Sequence, residues 1–76
     1  MDKNRSMVDV AYELMSKKKK AVNFYKLWQE VSEVKGFDEE EKDEKESLFY
    51  TNITLDGRFI TIGENNWDLR SRHKFD

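Results

Sequence analysis

No cysteine occurs in this 76-residue chain, so no disulfide supports its fold, and one histidine, His73, is too little for a structural zinc site. The absence of cysteine is compatible with a reducing cytoplasm. No apolar run approaches the ~20 residues of a membrane span, and the N-terminus has no apolar signal core. A soluble, cytoplasmic protein without membrane contact is expected. A glycine-rich phosphate loop is also missing. Catalysis by acid–base or nucleophilic groups needs a side chain of tuned pKa held against a partner in a cleft. Here the lone histidine lies in the C-terminal tail, and the acids gather on a solvated helix start without the mid-loop glycine of a calcium loop. No catalytic, cofactor or metal residue is assigned, and no enzyme is expected.

The net charge is −2 with 39% charged residues, so attraction to nucleic acid or membrane must come from patches. A chain this short forms one small domain, burying roughly 60% of the surface its unfolded form exposes. Its core must rest on aliphatics and on the ten aromatics that make up 13% of the chain. Each large side chain fully buried contributes about 1.5–3 kcal/mol.

Residues 1–6 read as a frayed start. Met7, Val10, Ala11, Leu14 and Met15 follow helical spacing behind Ser6, a suitable N-cap, with Asp9 in the first turn. Lys17, Lys18, Lys19 and Lys20 close that helix. Ala21-Val22 is too short for an independent strand but suits pairing with a later hairpin. Asn23 then caps a second helix, in which Phe24, Leu27, Trp28 and Val31 fall on one face that Val34 extends, and Gly36 stops it. Asp38 with Glu41 makes a capping-box start for a third helix. Asp38 with Lys42 and Glu41 with Lys45 are spaced as i,i+4 ion pairs. The third helix buries only its second half, through Leu48, Phe49 and Ile53. Asp56-Gly57 turns the chain into a hairpin, with Phe59, Ile60 and Ile62 on one strand, Gly63-Glu64-Asn65-Asn66 as the loop, and Trp67 and Leu69 on the return. Ile60, Ile62, Trp67 and Leu69 are expected to cover the helices. The expected core is Leu14, Leu27, Trp28, Val31, Phe49, Ile53, Phe59, Trp67 and Leu69. Tyr12, Tyr25 and Tyr50 are placed half-buried at helix seams, and Trp28 and Trp67 in the core rather than on a ligand platform. Asn52-Ile53-Thr54 matches a glycosylation acceptor by coincidence, inside a helix pattern.

This order predicts an α+β, mostly helical, winged helix-turn-helix-like domain over residues 7–70, with three helices, a short strand, a C-terminal β-hairpin wing and a polar tail at 71–76. A DNA reader of this shape turns its third helix to phosphate. Residues 38–46 nevertheless carry seven acids against two lysines, a local charge of −5. Asp38, Glu39, Glu40, Glu41, Asp43 and Glu44 are therefore the candidate contact residues for a protein partner, the other reading being a solvated helix start. The alternative is a basic edge of Lys17, Lys18, Lys19, Lys20, Arg70 and Arg72, joined by Arg58 and Lys74, that holds nucleic-acid phosphate. Specific reading of base edges is not expected, because the third helix offers few Arg, Asn or Gln side chains.

Phe49-Tyr50-Thr51, Leu55-Asp56-Gly57-Arg58-Phe59 and Trp67-x-Leu69-Arg70 resemble the N-terminal domain of delta subunits of Gram-positive bacterial RNA polymerase, within the HARE-HTH group. The resemblance runs from about Val8 to Arg72. It implies a non-catalytic accessory module that docks on core RNA polymerase, and a role for the whole subunit in promoter selectivity, initiation and recycling; the domain itself is expected to be a monomer. It also implies a long acidic tail, which these residues do not include, so activities of that tail are not assigned to them. The sequence departs from the family pattern at Asp68, where glycine is common, and at Ser71-Arg72-His73, which replaces a more aromatic ending.

Overall fold

The computed structural model describes residues 6–73; the expected frayed segment before Ser6 and the final residues from Lys74 lie outside the described residues. Ser6 opens α1 (Met7–Lys17), its Oγ accepting the Asp9 N–H at 3.2 Å. Asn23 opens α2 (Phe24–Lys35) by taking the Tyr25 N–H at 3.0 Å, and Gly36, at φ 75°, ends it. Helix-end N–H groups lack intrahelical partners, and glycine takes the left-handed exit without a Cβ penalty. On α3 (Glu39–Leu55) the capping box is complete. The Glu41 N–H donates to Asp38 Oδ1 at 2.8 Å, and the Asp38 N–H donates to Glu41 Oε1 at 3.3 Å.

Three short strands, β1 (Val22–Asn23), β2 (Phe59–Thr61) and β3 (Asn66–Leu69), pair antiparallel in the order β1-β3-β2. The β2–β3 turn is left-handed throughout, with Gly63 at φ 105°, Glu64 at 51° and Asn65 at 64°. The Asn65 carbonyl accepts the Phe24 N–H at 2.8 Å, which ties the wing to the start of α2. The result is a winged-helix-like α+β fold. Phe49, fully buried, stacks on Phe24 at 5.6 Å and on Trp28 at 4.9 Å. Around these rings lie Val10, Ala11 and Met15 of α1, Leu27 and Val31 of α2, Ile53 of α3, and Val22, Phe59, Trp67 and Leu69 of the sheet.

Several expectations are corrected. Leu14 packs against the edge of the core and is only partly buried, because Val10, Ala11 and Met15 take the centre of the stripe. Val34 is exposed, and the α2 face ends at Val31 and Ser32. On α3 the inward face runs through Phe49 and Ile53, one turn apart, which leaves Leu48 exposed beside it. In the hairpin Phe59 is inward, as the expected core has it, whereas Ile60 and Ile62 do not join it in covering the helices. Phe59 lies across from Leu69 and Thr61 across from Trp67, while Ile60 faces Asp68. Opposite residues of an antiparallel pair share a face, so Phe59, not Ile60, joins the core. Ile62, past the strand end, is 49% exposed. Lys18, Lys19 and Lys20 lie beyond α1 rather than in its last turn. Ser71 and Arg72 do not trail away, since Arg70–Arg72 forms a 3-10 turn.

Candidate functional site on helix α3

The six candidate acids have two kinds of task. Asp38 and Glu41 are engaged in the capping box, and Asp38 meets Lys42 through the backbone, its carbonyl accepting the Lys42 N–H at 2.9 Å. The Lys42 side chain donates to Gln29 Oε1 at 2.6 Å and pairs with Glu39 at 3.8 Å. Lys45 lies over the Phe37 ring at 5.6 Å rather than against Glu41. Glu39, Glu40, Asp43 and Glu44 are exposed. Helical spacing divides them: Glu39 and Asp43 continue to Glu46 and Tyr50 at i, i+4, i+7 and i+11, whereas Glu40 and Glu44 run along a neighbouring stripe.

The first stripe borders a groove that is absent from the sequence expectations. One recess, of about 470 Å³, is lined by Phe24, Tyr25, Glu46, Ser47, Tyr50, Thr51 and Asn65. A second, of about 220 Å³, shares Tyr25 and Glu46 and adds Trp28, Gln29, Lys42 and Asp43. Tyr25 and Tyr50 are 58% and 46% exposed, more open than the half-buried seam positions expected. The helical spacing of Glu39, Asp43, Glu46 and Tyr50 was the available signal. The place of Tyr25 beside them depends on how α2 crosses α3.

The basic edge is divided, with Arg72 reaching Lys18 while Arg58 and Arg70 line a separate recess. Arg58 Nε and Nη2 donate to the two oxygens of Asp56 at 2.9 and 2.8 Å, Nη2 also reaches Asp9 at 3.0 Å, and the guanidinium lies 4.9 Å from the Tyr12 ring centre. These bonds hold the carboxyls of Asp9 and Asp56 below their ordinary value and raise that of Arg58. Arg70 Nε donates to the Gly57 carbonyl at 3.0 Å. Arg72 donates to Asp68 at 2.9 Å, to the Met15 carbonyl at 2.7 Å and to the Lys18 carbonyl. It thereby closes the C-terminal end of α1, the task expected of the lysines. Lys18 pairs with Glu30 at 3.2 Å. Lys18, Lys19 and Lys20 line a recess of about 300 Å³ with Lys26, a residue absent from the expected edge, while Arg58 and Arg70 line a different one. Among the described residues no group of three or more His, Asp or Glu side chains is arranged to hold a metal ion, and no helix is long and apolar enough to cross a membrane.

Asp68 and the Ser71-Arg72-His73 segment, the two departures noted in the sequence, meet in one network. Asp68 accepts from the Leu69 N–H at 2.8 Å and from Arg72, and His73 Nε2 lies 2.9 Å from its other oxygen. Burial pushes this carboxyl up, but the bonds from His73, Leu69 and Arg72 together outweigh burial and hold it below its ordinary value. A carboxyl depressed in the folded state contributes stability above its unfolded pKa and loses it as pH falls through the folded one. Asp68→Asn should therefore cost about 1.5–3 kcal/mol at neutral pH, the range for hydrogen bonds to charged groups. Urea midpoints followed into acid should converge with those of the parent as pH falls through the lowered folded-state value of Asp68; parallel curves would show that the Asp68 charge contributes nothing.

Residues 5–72 match the HARE-HTH family model, whose description includes "ASXL, restriction endonuclease HTH domain". A Bacillus cereus (strain B4264) protein named "Probable DNA-directed RNA polymerase subunit delta" is 40% identical over 97% of this chain and 42% of its own length. Proteins of the same name from Bacillus anthracis and Bacillus thuringiensis (strain Al Hakam) are each 39% identical over the same shares. The chain thus spans about two fifths of the length of these relatives.

Proposed function

The chain belongs to the HARE-HTH family, and from that membership we propose that it is the docking module of an RNA polymerase delta subunit. It acts without catalysis in the cytoplasm, as a monomer, binding core RNA polymerase and modulating initiation, selectivity and recycling. The observation that supports this reading best is the charge of α3. A helix that would meet phosphate in a DNA-reading domain of this shape begins with seven acids in nine residues. Phosphate carries charge of the same sign, so an acidic helix head in the groove would be repelled. The bonds made by Arg58, Arg70 and Arg72 within the fold weaken the phosphate-binding alternative further.

The test is equilibrium binding of the chain to purified core polymerase and, separately, to a library of duplex DNA at about 150 mM salt. A saturable complex with core polymerase and no preferred duplex is expected. Weak association with DNA at low salt, through Lys19, Lys20 and Lys26, is compatible with the proposal. One duplex preferred at sub-micromolar affinity would overturn it in favour of a DNA-binding domain.

A further inference from the structure

We infer that the groove between α2 and α3 receives an arginine side chain presented by a basic segment of a protein partner. This deepens the docking reading by naming what the partner must offer, and it rests on that reading for the partner's identity.

The floor of the groove is rigid. Phe24 is 2% exposed and stacked on Phe49. Tyr25 and Tyr50 both stand edge-on against it, at 5.5 and 5.3 Å, and Tyr50 is braced further by Trp67 at 6.2 Å. Two large exposed rings are thus held in place before any partner arrives, so little side-chain freedom remains to be lost on binding. The lining is also negatively charged. Glu46 lines both recesses and Asp43 the smaller one, and neither has an ion pair among the described residues. The one lysine on the lining, Lys42, is already engaged by Gln29 and Glu39. Ser47, Thr51 and Asn65 supply neutral polar groups around the larger recess.

Carboxylates beside exposed aromatic faces select among ligands. Phosphate is repelled by Glu46 and Asp43. A purely apolar helix would strip water from both carboxylates without replacing it. A lysine ammonium meets the charge but stacks poorly. A guanidinium is planar and weakly hydrated, lies on an aromatic face and bonds a carboxylate through two N–H groups, so it uses both features of the lining. The stripe from Glu39 through Asp43 to Glu46 extends the same charge along α3 and suits further basic residues on the same segment.

The experiment is an amide NMR titration of the intact chain with a capped Gly/Ser peptide carrying two arginines, and with the same peptide carrying two lysines. The arginine peptide should shift Tyr25, Glu46, Tyr50 and Asn65 and bind about three- to fivefold tighter than the lysine peptide. Tyr25→Ala and Glu46→Gln should each weaken it several-fold. Tyr25→Phe, which keeps the ring, and Glu40→Gln, on the neighbouring stripe, should leave it unchanged. Equal affinity for the two peptides with shifts spread along residues 39–44 would overturn the inference, as would the absence of shifts. A single-stranded oligonucleotide that moved the same amides would also overturn it. These readouts need no polymerase, so the groove stands or falls apart from the docking proposal.

Discussion

Trp67→Ala is expected to destabilise the domain by about 3–5 kcal/mol, the usual cost of removing a large aromatic side chain from a core. Trp67 is 4% exposed and lies at the middle of the sheet, opposite Val22 on one side and Thr61 on the other, with Tyr50 edge-on against it. Its loss opens a cavity at the point where wing, first strand and α3 converge. A domain of this size has a total stability of only several kcal/mol, so the variant should be largely unfolded at physiological temperature. The Trp67 Nε1 has no hydrogen-bond partner among the described residues. Trp67→Phe therefore loses volume but no bond, and should fall between the parent and the alanine variant. Urea midpoints measured on all three proteins decide the matter. A midpoint for Trp67→Ala close to the parent's would mean that the wing does not contribute to the core.

The features legible in the sequence were those set by neighbours along the chain. Ser6, Asn23, Gly36 and the Asp38–Glu41 pair act within one helical turn, and each does in the structure what its local chemistry dictates. The pairing of Val22 with the hairpin was legible too, because a segment too short to stand as a strand alone can still add its backbone bonds to the edge of a hairpin. What the sequence concealed depends on distance. In Phe59-Ile60-Thr61-Ile62 both alternating phases begin with a large apolar residue, so only the register with Leu69 and Trp67 selects the inward one. The last turn of α1 is closed by Arg72, more than fifty residues away, and no local pattern shows that. The α3 acids were readable as a group. Their division into capping residues, a groove-side stripe and an outer stripe followed from the helix spacing together with the position of Tyr25 on α2.

On this account a helix-turn-helix scaffold keeps its caps, its core and its wing, while the charge of its third helix turns it from phosphate toward a basic protein surface. The direct measurement is the affinity for core RNA polymerase across a salt series, for the parent and for a variant with Glu39, Glu40 and Glu44 all changed to glutamine. Glutamine has nearly the helix propensity of glutamate, and Asp38 and Glu41, which hold the helix start, are untouched. Exposed charge pairs are worth about 0.2–1 kcal/mol each, so removing three should weaken docking by about tenfold at low salt. The account predicts that weakening, together with a shallower fall of affinity as salt rises. The same affinity and the same salt slope in both proteins would contradict it.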